Sequence, residues 1–296
     1  MEREAEKTEL TGFETMMGRF KNMVGSFLLA LGLLSCATNS DQRNCGSETV
    51  ELESIDFKVD VSRYGGQNSV KSIVILPPTG RTNYLDRSYA KIFCKAGFDT
   101  YIMDSWTGDE VKTTELEIHQ RFYGQAQKAI GLVLSQIKSP YIGLLGTSVG
   151  GLHATIAASY QDRLQAVFVI TGGISVAEVI VNSNQAAMVE LRQDRQRRYG
   201  FKTADENIKA LGNVFSFEPE NLPQKFRQKD LGLSIALEDK TVPTANQLRL
   251  KEFWNSKYVI TFPNNHFWTI VKSWLFKSDE ILQFFEDSAK ARSPQT

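Results

Sequence analysis

One serine in this sequence lies between two glycines, in Gly146-Thr147-Ser148-Val149-Gly150. The apolar residues 141–145 before it predict a buried strand, and the small residues 151–158 after it predict a helix. A sharp turn between a strand and a helix presses backbone against backbone, where only glycine fits. Such a turn holds a serine as a nucleophile. Ser148 is therefore the candidate nucleophile, and the alternative is an ordinary serine of a strand-to-helix turn.

A serine nucleophile needs an imidazole to accept its proton, and the chain has three histidines. His266 follows a predicted strand at residues 258–262 and is the candidate base. His119 stands beside polar residues on a helix flank, where we expect it to face solvent. His153 follows Ser148 by five residues in the predicted helix, where we expect a packing role.

A carboxylate must hold that imidazole in the correct tautomer. Asp239 follows the apolar strand at residues 233–237 and is the candidate acid. Its neighbour Glu238 is the alternative, and Asp104, at the end of an earlier strand, is a further one. An open α/β sheet builds its site beyond the carboxyl ends of its strands, which is where the candidate acid and base both lie.

The chain order of serine, acid and histidine resembles that of the α/β-hydrolase family. The resemblance rests on the glycine-flanked serine, on the segment from Asp239 to Pro243, and on Asn265-His266 after a strand. It extends from about Val50 to the last predicted helix. It implies a catalytic triad of Ser148, Asp239 and His266, with Asp104 as a support for a loop.

The same resemblance implies an oxyanion hole made of two backbone N–H groups. One is the amide of Val149, directly after the nucleophile. The other comes from the loop after Leu76, where this chain has Pro77-Pro78 instead of the usual His-Gly. Because proline has no N–H, the donor must be Thr79 or Gly80, and Thr79 matches the family's position better.

Apolar segments alternate with amphipathic ones along the chain. This alternation predicts the α/β class, with a mostly parallel sheet flanked by helices. An alternating polar and apolar pattern at residues 51–61 predicts one half-buried edge strand. The other predicted strands are residues 72–76, 100–103, 141–145, 166–170, 233–237 and 258–262, and the clearest helices are residues 84–96 and 115–138.

Residues 174–230 are too many for a simple loop and carry helical patterning. They resemble the helical cap that many α/β hydrolases insert at this point to cover the acyl pocket. Four arginines cluster there, and they predict either a solvated helix face or contacts with anionic lipid headgroups. The four are Arg192, Arg195, Arg197 and Arg198.

The N-terminal residues 1–36 have the pattern of an export signal. Basic residues precede the apolar run 23–36, which is too short to span a bilayer. The run ends in Leu33-Leu34-Ser35-Cys36, which resembles a bacterial lipobox and implies that Cys36 is lipidated. Residues 37–49 are then a tether and residues 50–296 the folded domain. The alternative is an uncleaved anchor or a buried helix.

Ala37 after that cysteine resembles lipoproteins sent to the outer membrane. We therefore expect a bacterial cell-envelope protein, lipid-anchored to the outer membrane and facing the periplasm. An exported protein can oxidise Cys45 and Cys94 to a disulfide. A buried free thiol at Cys94 is the favoured expectation, because cysteine is often fully buried.

Charge and motifs exclude several classes of function. Lys+Arg and Asp+Glu balance at 34 each, so nucleic acid is not an expected partner. No phosphate loop, dinucleotide fingerprint or Cys/His metal spacing occurs, and no cofactor or metal is expected. The predicted function is hydrolysis of a carboxylic ester or related acyl bond of a small-molecule or lipid substrate. The alternatives are a thioesterase or acyltransferase with the same triad, and a non-catalytic envelope lipoprotein.

Overall fold

The computed structural model describes residues 45–54, 58–66, 69–78, 81–105 and 113–292. Three predictions therefore concern residues outside the described ranges. These are the signal segment 1–36 with its lipidated Cys36, the first part of the tether 37–49, and the oxyanion donor Thr79.

The described strands form one eight-stranded sheet with the order β1-β2-β4-β3-β5-β6-β7-β8. β1 pairs antiparallel with β2, and β2 pairs antiparallel with β4, whereas the pairs from β4 to β8 are parallel. The strands are β1 (Ser47–Glu53), β2 (Lys58–Tyr64), β3 (Lys71–Leu76), β4 (Asp99–Ser105), β5 (Tyr141–Thr147), β6 (Ala166–Ile170), β7 (Asp230–Ala236) and β8 (Tyr258–Phe262).

The single edge strand predicted for residues 51–61 is wrong. β1 ends at Glu53 and β2 begins at Lys58, and the two strands pair with each other. An alternating pattern has the same period on both arms of a hairpin, so alternation alone does not reveal where the chain reverses.

Helices cover both faces of the sheet, as the sequence predicts for an α/β protein. α1 and α8 pack with one face around Phe93 and Phe285, and α2, α3 and α7 pack with the other around Ile130 and Leu250. The described helices are α1 (Tyr84–Lys95), α2 (Glu117–Gln136), α3 (Val149–Tyr160), α4 (Val176–Asn182), α5 (Ala186–Tyr199), α6 (Ala204–Val214), α7 (Thr244–Trp254) and α8 (His266–Arg292).

The insertion between β6 and β7 consists of α4, α5, α6 and two short 3-10 helices. Its apolar side chains, such as Val179 and Leu211, form a third cluster with Tyr123 of α2 and Ile156 of α3. The helices predicted for residues 174–230 are therefore present, and they pack on α2 and α3, which flank the sheet. Within the described ranges, every helix is too short or too polar to cross a bilayer.

Cys45 and Cys94 form a disulfide with a Cα–Cα distance of 5.9 Å. The favoured expectation of a free thiol at Cys94 is therefore wrong. Cys94 is fully buried in the last turn of α1, as expected. Cys45, which precedes β1, packs against the same apolar cluster around Phe93 and Phe285, so the two sulfur atoms meet there. The bond ties the start of the described chain to the domain.

Candidate active site

Ser148 occupies the turn between β5 and α3 in a strained backbone conformation, with φ 54° and ψ −117°. A positive φ is uncommon for a residue with a Cβ, and such strain concentrates at functional sites. The Ser148 N–H donates to the carbonyl oxygen of Ile170 at 2.9 Å, which attaches the turn to the neighbouring strand β6.

The two glycines around this serine are required by close packing. A Cβ added at Gly146 would lie 2.4 Å from the carbonyl oxygen of Gly150. One added at Gly150 would lie 2.2 Å from the carbonyl oxygen of Leu76 in β3. Both distances are shorter than any carbon–oxygen contact that a folded chain tolerates. The Gly-x-Ser-x-Gly spacing thus follows from the packing of strand, turn and helix.

His266 is the first residue of α8 and follows β8 by a short loop. Its Nε2 atom lies 2.8 Å from Ser148 Oγ, and its Nδ1 atom lies 2.7 Å from Asp239 Oδ2. A carboxylate only accepts hydrogen bonds, so Nδ1 carries the hydrogen and Nε2 accepts from the serine hydroxyl. The ring is therefore in the tautomer that can remove a proton from Ser148.

The carboxylate of Asp239 is fully buried and accepts four hydrogen bonds. Oδ1 accepts from the amides of Thr241 at 2.8 Å and Val242 at 3.0 Å. Oδ2 accepts from His266 and from Gln247 Nε2, the latter at 2.7 Å. These donors satisfy a charge that burial would otherwise penalise.

Solved structures share this architecture at low sequence identity. The chain aligns with the acylaminoacyl peptidase of Pyrococcus horikoshii at 15% identity and TM-score 0.59, over 85% of this chain and 44% of the peptidase. It aligns with acetyl xylan esterase 1 from Thermoanaerobacterium sp. at 13% identity and TM-score 0.60, over 86% of each chain. It aligns with mouse alpha/beta hydrolase domain-containing protein 10 at 15% identity and TM-score 0.57, over 83% of this chain and 100% of the mouse protein.

The fold is that of the α/β hydrolases. The predicted fold class is confirmed, and the chain spans less than half the length of the peptidase. No family model matches the sequence, and no curated protein matches it.

The two alternative acids, Glu238 and Asp104, have surroundings different from those of Asp239. Glu238 is exposed to solvent, whereas Asp239 beside it points inward. Asp104 accepts hydrogen bonds from Ser62 Oγ at 2.5 Å and from Thr82 Oγ1. Thr82 belongs to the loop after β3, so the contact of Asp104 is one that supports this loop.

The two other histidines are both buried. His119 is 3% exposed, so the expectation that it faces solvent is wrong. Burial, with a smaller effect of the Arg195 charge, lowers the pKa of His119 to about 3. His153 has the expected packing role: its ring lies 4.3 Å from that of Tyr123, and burial holds its pKa well below the usual range.

The four arginines of α5 do not form one surface. Arg195 is 1% exposed and donates to the carbonyl oxygens of Thr114 and Glu115 just before α2. Both predictions, a solvated helix face and a contact with lipid headgroups, are therefore wrong for Arg195. Burial lowers the pKa of Arg195 to about 10. Arg197 and Arg198 are exposed. Adjacent residues point to different sides of a helix, so the charge run spans a buried and an exposed face.

The predicted oxyanion donor Val149 has a backbone partner in this structure. Its N–H donates to the carbonyl oxygen of Pro78 at 3.3 Å. This amide can therefore bind an oxyanion only if it exchanges that long hydrogen bond. Thr79, the second predicted donor, lies outside the described residues.

Gln247 is the residue at this site that the sequence reasoning missed. It lies on the buried face of α7 with Leu250 and Trp254, at helical spacing. A polar residue on an otherwise apolar stripe, eight positions after the candidate acid, is the signal that could have revealed it.

Proposed function

We propose that this protein is a serine hydrolase that cleaves a carboxylic ester or a related acyl bond through an acyl-enzyme. One observation carries the proposal: continuous hydrogen bonds run from the buried Asp239 through His266 to Ser148 on a strained turn. A serine hydroxyl is a weak nucleophile until a neighbouring base accepts its proton.

In the proposed reaction, Ser148 Oγ attacks the carbonyl carbon of the substrate while its proton moves to His266 Nε2. Asp239 stabilises the resulting imidazolium and keeps the ring oriented. The imidazolium then protonates the leaving oxygen, the bond to the leaving group breaks, and an acyl-serine remains. A water molecule, deprotonated by His266 Nε2, attacks the acyl carbon. The bond from the acyl carbon to Ser148 Oγ then breaks while the imidazolium returns its proton to Oγ, which releases the acid and the free serine.

The negative charge on the carbonyl oxygen needs two backbone donors in this mechanism. We assign them to Val149 and Thr79. The Val149 N–H already points toward the loop after β3, where Pro78 accepts its hydrogen bond at 3.3 Å. A substrate oxygen would take the place of that carbonyl, which requires this loop to shift when substrate binds.

Three exposed apolar side chains next to the proposed acid and base favour a substrate with an apolar part. Leu237 lies two residues before Asp239 in the chain, and Phe267 and Trp268 directly follow His266 in α8. Large exposed apolar side chains close to an active site are typical of a surface that binds an apolar ligand. They support an acyl substrate, small or lipid, and the helical insertion 174–230 is then the cap over its pocket.

A thioesterase or acyltransferase would use the same residues, because only the group that reaches the acyl-enzyme differs. The peptidase and esterase among the similar structures support the broad class of acyl-bond chemistry. We propose ester hydrolysis within that class.

We also propose that the protein is lipidated at Cys36 and anchored in a bacterial cell envelope, facing the periplasm. The support from the described residues is the Cys45–Cys94 disulfide. Structural disulfides form in oxidising compartments outside the cytoplasm, which fits an exported protein.

Labelling with a fluorophosphonate tests the proposed nucleophile, because this probe reacts with a serine activated by a base. Mass spectrometry should locate the label on Ser148 in the folded protein and find none after heat denaturation. A folded protein that hydrolyses none of a series of esters and takes up no label would contradict the proposal and favour a non-catalytic binding protein.

A further inference from the structure

We propose that Gln247 is a positioning residue that orients the Asp239 carboxylate toward His266. The inference rests on the proposed triad. Gln247 lies in the second turn of α7, is 1% exposed, and its Nε2 atom donates to Asp239 Oδ2 at 2.7 Å. The same Oδ2 atom accepts the hydrogen bond from His266.

The amide of Gln247 is held in one orientation. Its Oε1 atom accepts from the amide of Ala236, at the end of β7, at 3.0 Å. Its Nε2 atom donates both to Asp239 and to the carbonyl oxygen of Val242 at 2.7 Å. A rotation of the amide by 180° would place its oxygen against two acceptors and its nitrogen against a donor. Only the observed orientation satisfies all three contacts.

Gln247 therefore links the end of β7, the loop that contains Val242, and the carboxylate of Asp239. Oδ1 of Asp239 is already held by the amides of Thr241 and Val242. The donor on Oδ2 completes the constraint on the carboxylate plane and leaves one direction for His266. Without it, the carboxylate can rotate and the imidazole loses its orientation, although no contact with the substrate is lost.

Few ionisable groups adjoin this network in the described part of the chain. His266 is the partner of Asp239 itself, and the side chains of Glu238 and Lys240 are exposed. On the outer side of α7, Arg249 and Glu178 pair with each other at 2.9 Å. A carboxyl introduced at position 247 would thus have the Asp239 carboxylate as its nearest charge.

The decisive variant is Gln247→Glu, which keeps the shape and the acceptor for Ala236. A carboxyl beside a carboxylate keeps its proton to a higher pH than usual. While protonated, it can donate its single hydrogen to Asp239, although the Val242 carbonyl oxygen then loses the donor it has in wild type. Once ionised, it repels Asp239. The ratio of variant to wild-type kcat should therefore fall about tenfold or more between about pH 6 and about pH 9.

The companion variant Gln247→Met has no donor at any pH. Its kcat should fall about 10- to 100-fold with little change in KM, and the ratio to wild type should not vary with pH. All kcat values are divided by the concentration of sites that react with fluorophosphonate, and circular dichroism verifies the fold at each pH. Loss of folded protein is thereby separated from loss of orientation.

Gln127 supplies matched controls. It is also a buried glutamine with a full set of hydrogen bonds, in α2, and it contacts His153 and Tyr160 instead of the proposed triad. Gln127→Glu and Gln127→Met should lower the unfolding temperature without a pH-dependent change in the kcat ratio.

Two results would overturn the inference. One is a kcat for Gln247→Met within about twofold of wild type in folded protein. The other is a ratio for Gln247→Glu that stays constant with pH. If Ser148→Ala retains full activity, the proposed function itself fails. If Ser148→Ala is inactive while the Gln247 variants behave like the Gln127 controls, only the role of Gln247 fails.

Discussion

The Nε2 atom of His266 lies 2.8 Å from the Oγ atom of Ser148, although 118 residues separate them in the chain. Each residue stands just beyond the carboxyl end of a strand, β5 for the serine and β8 for the histidine. The parallel strands β6 and β7 lie between these two strands. Parallel pairing brings these ends to one edge of the sheet, and the short loop after β8 and the start of α8 then cover the remaining distance.

Ser148→Ala should abolish ester hydrolysis and preserve the fold, because alanine removes only the hydroxyl from a turn that its glycines hold in place. We expect kcat to fall by about 10³–10⁶-fold, with only the oxyanion and binding effects remaining. Steady-state kinetics on a chromogenic ester measures this, with thermal unfolding as the control. Activity within tenfold of wild type would exclude a serine hydrolase that uses Ser148.

Asp239→Asn should lower kcat by about 10²–10⁴-fold, since an amide presents a donor where His266 Nδ1–H needs an acceptor. The exposed neighbour supplies the control: Glu238→Gln should change kcat little. The same chromogenic ester serves for both variants. If Glu238→Gln were the damaging change, Glu238 would have to move into the triad when substrate binds.

Asp86→Asn should make stability less dependent on pH. The Asp86 carboxyl of α1 is buried, and burial, reinforced by the charge of Asp104, raises its pKa from 3.8 to about 7. An acid whose pKa is raised in the folded state destabilises the fold as pH rises from about 4 through about 7. Asparagine keeps the oxygen that accepts from Asn83 N–H and has no charge.

The Asp86→Asn variant should therefore match wild type near about pH 4 and exceed its unfolding free energy by roughly 1–3 kcal/mol near about pH 8. Urea unfolding at both pH values measures this. Burial also raises the pKa of Glu218 to about 7, so part of the dependence of the unfolding free energy on pH remains in the variant. The exposed Asp279, changed to asparagine, is the control. Equal differences from wild type at both pH values would refute the role of Asp86.

Cys45→Ser should destabilise the protein, because the disulfide to Cys94 closes a loop over a sequence separation of 49 residues. Removing a bond of this kind costs about 2–4 kcal/mol, mainly through the greater freedom of the unfolded chain. Wild type treated with a reducing agent should unfold at the same lower urea concentration as the variant. A wild-type protein whose unfolding is insensitive to reduction would show that the bond is absent in solution.

Cys36→Ser should abolish acyl labelling and block maturation in a bacterium with a working export pathway. The reason is that serine lacks the sulfur to which the proposed lipid is attached. The variant also loses the membrane affinity of the acyl chains, each worth about 0.8 kcal/mol per buried CH₂ group. Metabolic labelling with a fatty acid and mass spectrometry of the N-terminus measure this. A domain that begins at about Cys45 should remain soluble and active. An intact, unmodified N-terminus at Met1 would rule out a lipoprotein signal.

The sequence alone predicted the fold class from local patterns, and those patterns together with the resemblance to α/β hydrolases supplied the candidate triad. Apolar strands alternating with amphipathic helices require a mostly parallel sheet, and the glycines around Ser148 indicate the close backbone approach that the structure has. The strand-end positions of Asp239 and His266 were likewise visible as an acid and a base after apolar runs.

Only the tertiary structure decided which polar side chains are buried and what they contact. The low pKa of His119 comes from its burial and from the charge of Arg195 on another helix, and the bond of Cys94 depends on where Cys45 lies. Gln247 acquires its place beside Asp239 because α7 packs back on the end of β7. Such contacts join residues that are distant in the chain or on different elements, and a pattern with a period of two or 3.6 residues carries no information about them.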